Sequence, residues 1–419
     1  MVAAEFSILL IPLALVGLAL INAGLARSRN TAHILMASLC AVAIAALAYF
    51  VFGFSWEGVA GAPGHAISLR GKDWNWIGAS KLFWGGLVLD GSPSSLAACM
   101  QLFAVGFAAM IPVGGAAERW RLSAVCASTA LFAGITYPLF AHAVWAGGWL
   151  AQLGANYGVG SGFADAGGSS AIQASGGLTA LALAWILGPR RGKYSAEGLP
   201  LALPGHNVGL VFLGCFLMWT GWLGLNSAGA ILFSGINPAP VVLVLVNTTL
   251  AATSGALSAA ALTRFRFGKP DASLTANGWV GGLVASSAAC AFVPPAAAML
   301  IGIVAGLLIP LAIENLEMRL GIDDPCGAIS VHALGGIWGI ISVGIFGRLP
   351  EGQWIAQMAG VATLLGFVLP LSYGLNWLLN RVLPQRVSPE AERQGLDLHE
   401  LGAGAYPEFM THGDEFLQG

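Results

Sequence analysis

"DAGGSSAIQASGG", residues 165–177, runs from a carboxylate into an apolar stretch that holds one amide, Gln173. "DPCGAISVHALGG", residues 324–336, repeats the layout with His332 in the place of the glutamine. Both fit the pattern D-x7-[Q/H]-A-x-G-G. The surrounding chain says what kind of repeat this is. It is 419 residues long, 57% hydrophobic and only 9% charged. A soluble globular protein carries about 25% charged residues. The composition is that of a polytopic membrane protein. A net charge of −2 offers no case for nucleic-acid binding. The six cysteines form no CxxC pair, so neither a disulfide framework nor a zinc site is expected. No basic segment precedes the first apolar run, which therefore reads as a span and not as a cleaved signal.

A helix needs about 20 mostly apolar residues to cross the hydrocarbon core. Eleven such runs are expected, near 5–26, 31–54, 96–115, 121–150, 170–189, 206–227, 238–262, 276–293, 296–317, 328–347 and 353–380. Basic residues sort by loop. "ARSRN", "ERWR", "PRRGK", "RFRFGK" and "MRL" follow the first, third, fifth, seventh and ninth runs, and Arg381, Arg386 and Arg393 follow the eleventh. The loop "WAGGWLAQLGANYGVGSGFADAGGSS" has no basic residue at all. By the positive-inside rule the N-terminus is expected outside and the C-terminus in the cytoplasm.

One copy of the repeated pattern opens the fifth run and the other opens the tenth. Five runs, an odd number, separate them, so the copies face opposite sides of the membrane. The expected fold is all-α: an inverted five-helix repeat, related by a pseudo-two-fold axis, plus a peripheral eleventh helix. In such folds the substrate site lies near the midplane at the repeat interface. Eight helical residues rise about 12 Å, enough to carry Gln173 and His332 from opposite faces toward the middle of a core about 30 Å thick. Asp165 and Asp324 suit N-caps, with Pro325 at a favoured first-turn position. The paired glycines permit close helix contact. Gln173 suits either a pore lining or a plain interhelical tie. An ionisable group in mid-membrane, such as His332, is functional by default.

At this point a resemblance emerges. "GGAAERWRLSA", "AHAVWAGG", "GWLGLNSAG", "DDPCGAISVHALGGIWG" and "GLDLHELGAGAY" resemble, in order, signatures of the ammonium transporter superfamily (Amt/Mep/Rh). The resemblance implies an eleven-helix fold with a pore through each subunit of a homotrimer. It also implies an outer ammonium site and two facing histidines within. Trp145 matches the tryptophan walling the outer site, where cation–π attraction suits a small cation. Asp165 matches an aspartate near the outer end of the fifth span, and His332 the second histidine. The first histidine falls on Gln173. The outer-site serine falls on Gly229, which has no hydroxyl. One gate phenylalanine falls on Leu225; the other falls on Ala104 by gapless counting, or on Phe103 with a one-residue bulge. Trp222 matches a family position and suits the pore. Trp338 suits packing, and His142 and His206 suit helix-end bonds. His33 and His65 lie near loops and point to no role.

The resemblance implies ammonium or ammonia transport through each subunit in the plasma membrane, without a cofactor. The alternative is an ammonium sensor with little or no flux. The losses at positions 173, 225 and 229 point that way, and so does the altered tail, where the family's "HGE" triplet reads Leu401-Gly402-Ala403. No nucleophile–base set or metal cluster supports an enzyme. The chain divides into a transmembrane domain, 1–380, and a polar cytoplasmic tail, 381–419. The tail is expected to meet a signalling or regulatory protein and to be dispensable for folding. Membrane lipids surround the rest.

Overall fold

The computed structural model describes residues 1–58, 65–234 and 240–409. Residues 238 and 239 of the seventh expected run and 410–419 of the tail lie outside the described residues. Away from water, backbone N–H and C=O groups must be satisfied within their own segment, so long apolar runs become helices. The helices are Val2–Leu25 (α1), Ser28–Glu57 (α2), Pro93–Gly115 (α3), Leu122–Val144 (α4), Ser169–Leu187 (α5), Val208–Phe233 (α6), Val241–Phe267 (α7), Ala272–Ala289 (α8), Pro295–Leu320 (α9), Ile329–Phe346 (α10) and Gln353–Val382 (α11). An antiparallel hairpin, Ala66–Leu69 (β1) with Lys72–Asn75 (β2), sits between α2 and α3 and sets Ile67 opposite Trp74.

Among the described residues, ten of these helices are long and apolar enough to cross a membrane. The exception is α8, where the eighth run was expected. Its 18 residues rise about 27 Å, but Asn277, Ser286 and Ser287 lower its hydropathy. All three are buried among neighbouring helices, so the polarity faces protein. The fourth run was expected to reach residue 150. Instead α4 stops at Val144, and Gly147 takes φ +74°, a turn that glycine adopts without strain.

The repeat is visible in its glycines. A Cβ on Gly17 of α1 would meet the Gly214 carbonyl of α6 at 2.6 Å, and a Cβ on Gly214 would meet the Gly17 carbonyl at 2.6 Å. Gly24 abuts Asn207 at one end of the pair and Gly224 abuts Ser7 at the other, so α1 and α6 run antiparallel. The same reciprocity joins α5 and α10. A Cβ on Gly177 would meet Ala333 N at 2.2 Å, and one on Gly336 would meet Ser169 O at 2.5 Å and Ala174 N at 3.0 Å. The first helices of the two repeats pair with each other, and so do the last. Backbones without intervening side chains gain dispersion contact, which matters where lipid removes the hydrophobic drive between helices. Along α11, large apolar side chains such as Trp354, Met358, Phe367 and Leu378 point outward, as in a peripheral helix. Its polar residues tie inward: Asn376 accepts from Ser128 Oγ at 2.7 Å, and Ser372 Oγ lies 2.9 Å from Thr179 Oγ1.

The tail does not hang free. Asp397 accepts from the backbone N–H groups of Ala32 (3.1 Å) and His33 (2.7 Å) at the start of α2. Glu400 accepts from Leu122 N–H at the start of α4, at 2.6 Å. Helix N-termini leave orphan donors, and here a distant segment caps two of them. Arg386 pairs with Glu392 at 2.7 Å and donates to the Leu187 carbonyl at 2.6 Å. The segment expected to be dispensable for folding is seated against the starts of α2 and α4 and the end of α5.

Candidate functional site

The two repeated motifs begin alike. Asp165 Oδ1 accepts from Gly168 N (2.8 Å) and Ser169 N (2.9 Å), and its Oδ2 from Ser170 N (2.7 Å). Asp324 Oδ2 accepts from Ile329 N (2.9 Å) and Ser330 N (3.1 Å). Both aspartates therefore cap the helices they precede. Each helix then opens with a π-helical turn, Ser169–Ala174 in α5 and Ile329–Leu334 in α10. Such turns widen the helix and recur at functional sites. Gln173 and His332 each sit in one of these turns, on helices that the glycines bring together.

They touch. His332 Nδ1 lies 2.7 Å from Gln173 Oε1, and both side chains are buried. An amide oxygen only accepts, so Nδ1 carries the proton and the imidazole tautomer is set. Gln173 Nε2 is buried with no partner in the protein. The couple therefore holds an unused donor. Phe107 stands edge-on to His332 with centroids 6.5 Å apart, and to Trp222 at 5.4 Å. Trp222 is held by Nε1–H donating to Ser287 Oγ at 2.8 Å.

Nearer the hairpin end, Trp145 donates from Nε1 to the Asp165 carbonyl at 2.8 Å and stacks on Phe233, 4.7 Å between centroids. These rings wall a cavity of about 80 Å³ that also meets Tyr49, Glu57 and Gln101. Trp145 alone of the four proposed outer residues lines it. Phe103 is half-buried, and Leu225 and Gly229 are buried in the core, all outside this cavity. Ala104, the gapless match, is buried too. The reason at 229 is steric: a Cβ there would meet the Ala166 carbonyl at 2.2 Å. The backbone of the segment between Asp165 and α5 occupies the space a serine would need. Gly229→Ser is therefore expected to destabilise the protein by about 1–3 kcal/mol through overpacking, and not to tighten ammonium binding. Melting temperature and ammonium affinity of that variant check this; a stable, tighter-binding variant would reverse it.

Trp338 donates to the Ile301 carbonyl at 3.0 Å, a packing tie. His142 Nδ1 meets the Glu57 carbonyl, and His206 bridges the Ala26 carbonyl and Tyr406, both near helix ends. His33 lies 3.3 Å from Glu400 in the tail. All six cysteines are free, and no group of three His, Cys, Asp or Glu among the described residues could hold a metal ion.

Sequence reading missed Phe107, Phe233, Glu57 and Gln101. Ending the second run at residue 54 left Glu57 in a loop, whereas α2 carries it inside. That carboxylate at the end of an apolar helix was the available signal. The aromatics gave none, since an aromatic in a membrane helix is usually packing.

At the other end of the bundle a buried ion network closes the helix ends. Arg190 donates from Nε and Nη2 to Asp323 at 2.9 and 3.0 Å, and from Nη1 to Glu118 at 2.8 Å. Fully buried Arg119 donates to the Gly188, Gly115 and Asp323 carbonyls. Burial opposes the charge on Asp323, but Arg119 and Arg190 outweigh it and hold the carboxyl down at about 2.

Known proteins can now be set beside this geometry. A family model described as Ammonium Transporter Family matches residues 2–406. Ammonium transporter Amt2 of Archaeoglobus fulgidus is 37% identical, over 94% of this chain and 85% of its own. The ammonium transporter of Bacillus subtilis is 32% identical, over 97% and 98%. A solved structure called Sensor Amt Protein superposes with a TM-score of 0.86 at 30% identity, covering 95% of this chain and 97% of that one. Candida albicans Mep2, at 23% identity and a TM-score of 0.79 over 99% and 91%, shares the fold. By motif order, reciprocal helix pairing and this breadth of similarity, the chain is a membrane protein that belongs to the ammonium transporter family.

Proposed function

We propose that this chain moves ammonium nitrogen across the plasma membrane, with a pore in each subunit of a homotrimer. The N-terminus lies outside and the residues after α11 lie in the cytoplasm. In this reading α8 counts as the eleventh span, residues 1–380 are the transmembrane domain and 381–419 the tail. The tail is a surface for a cytoplasmic regulatory or signalling protein. Ammonium enters at the Trp145 cavity. The species then passes Phe107 and Trp222 to reach Gln173 and His332.

The observation that carries this reading is the 2.7 Å contact between Gln173 and His332 at the crossing of α5 and α10. Ammonia has one lone pair and three N–H groups. The spare Gln173 Nε2–H can donate to that lone pair, and the second ring nitrogen of His332 can accept from an N–H. Ammonium has no lone pair and cannot use the donor. The couple favours the neutral molecule.

A primary amide is a very poor proton acceptor, so a two-histidine relay has no second member here. Proteoliposomes containing the parent are expected to give weak or absent ammonium-driven current, and Gln173→His to raise it. His332→Ala should alter the small parent current little. A strong parent current abolished by His332→Ala would mean that one histidine suffices. The second reading is sensing: ammonium bound without flux. It is favoured by the likeness to the structure named Sensor Amt Protein, at 30% identity. Equilibrium binding without uptake, in the same liposomes, would establish it over transport.

A further inference from the structure

Glu57 ends α2 inside the protein, 2% exposed; His142 reaches its backbone carbonyl, but no Lys, Arg or His side chain among the described residues pairs with its carboxylate. The adjoining segments 59–64 and 235–239 contain no basic residue either. A buried charge without a counter-charge is costly, and proteins retain one where it is paired or functional. The hydrogen bonds around Glu57 all point toward it. Tyr49 O–H donates to one carboxylate oxygen at 2.8 Å, and Gln101 Nε2 to the other at 2.6 Å. Tyr137 O–H in turn donates to Gln101 Oε1, which turns the amide so that its NH₂ faces Glu57. A network polarised this way suits an ionised carboxylate. Each of its oxygens accepts one bond from the protein, and a carboxylate has about four acceptor positions. Capacity remains.

Glu57 is among the residues lining the cavity walled by Trp145 and Phe233. Its volume of about 80 Å³ is room for at least two water-sized species, each taking roughly 30 Å³. Aromatic walls favour cations, and so does the carboxylate. Position 229 lies outside this cavity, and Glu57 and Gln101 are among the polar residues that line it.

We infer that Glu57 is the anionic ligand of this cavity and holds one small monovalent cation, ammonium or an ion of its size, beside the Trp145–Phe233 wall. The cation supplies the missing counter-charge, and its N–H groups fill the free acceptor positions of the carboxylate. Fixed charge then does at this mouth what a neutral hydroxyl does more weakly. Charge-assisted hydrogen bonds are about twice as strong as neutral ones. This inference rests on reading the chain as a protein that handles ammonium.

The test is equilibrium binding of ammonium to the full chain in detergent, for the parent, Glu57→Gln, Glu57→Asp and Trp145→Leu. Glu57→Gln is expected to weaken binding at least about tenfold, the loss set by one charge-assisted contact. It should also abolish the rise in melting temperature that ammonium gives the parent, while the melting temperature without ammonium stays close to the parent's. A residue of merely structural value would move the second quantity and spare the first. Should Glu57→Gln not fold, Glu57→Asp carries the test. It keeps the charge but withdraws it by one methylene, and about threefold to tenfold weaker binding is expected. Parent affinity in whichever variant carries the test overturns the proposal. If Trp145→Leu loses binding while Glu57→Gln retains it, the cavity is a cation site without a carboxylate ligand. If the parent does not bind ammonium, or if neither Trp145→Leu nor Glu57→Gln changes its affinity, the cavity itself is not the entry site. The broader reading then fails at its first step together with the role of Glu57.

Discussion

Arg190→Ala is expected to cost about 3–5 kcal/mol of stability, the usual penalty for removing one partner of a buried ion pair. Arg190 is the shared member of its network: it contacts both Asp323 and Glu118, whose side chains are fully buried. Without it, Glu118 keeps Arg27, which is partly exposed, and Asp323 keeps Arg119 at 3.8 Å. The Arg119 contact does not match the paired N–H groups that Arg190 presents to Asp323. Arg190→Lys should rescue little, because an ammonium group cannot reproduce the planar fork. The melting temperature of the purified protein reads this directly, and a value within a degree of the parent would refute it. The pH dependence has a fixed sign. An ordinary aspartate titrates near 3.9, and Asp323 is held at about 2 in the fold. Its contribution is complete above about pH 4 and is lost as pH falls toward 2. Arg190→Ala should flatten that acid limb.

Gly177→Ala is expected to damage fold and function together. A methyl group there would lie 2.2 Å from Ala333 N and 2.8 Å from the His332 carbonyl carbon. Both are backbone atoms in the π-helical turn of α10, which no rotamer change can clear. The helices must separate. Overpacking of this kind costs about 1–3 kcal/mol or more, and separation also pulls His332 from Gln173. Gly336→Ala should act in the same direction, since its Cβ would meet the Ser169 carbonyl at 2.5 Å across the pseudo-two-fold axis. Gly134→Ala is the control: nothing lies within 4 Å of its Cβ position. Thermal stability and ammonium uptake in liposomes measure both effects. A Gly177→Ala protein with parental stability and uptake would show that the crossing of α5 and α10 is looser than these distances say.

Much of the architecture was legible without coordinates. Low charge, runs of about 20 apolar residues and the D-x7-[Q/H]-A-x-G-G repeat determined a helical membrane fold with inverted halves, because hydrocarbon leaves the backbone few alternatives. The same repeat placed Gln173 and His332 at matching depth, since helical rise depends on residue count alone. The capping roles of Asp165 and Asp324 were legible for the same local reason. What depends on distant segments was not. Gly229 looks like a lost hydroxyl in sequence, yet the carbonyl of Ala166, 63 positions earlier, fills that space. The tail looks dispensable because it is polar, yet Asp397 and Glu400 satisfy the first N–H groups of helices that begin hundreds of residues before them. Glu57 reads as a loop residue until Tyr49 and Gln101, the latter held by Tyr137, are seen to donate to it. Periodicity and spacing are properties of the local chain. Occupied volume and hydrogen-bond partnership belong to the whole packed molecule, and only the tertiary structure decides them.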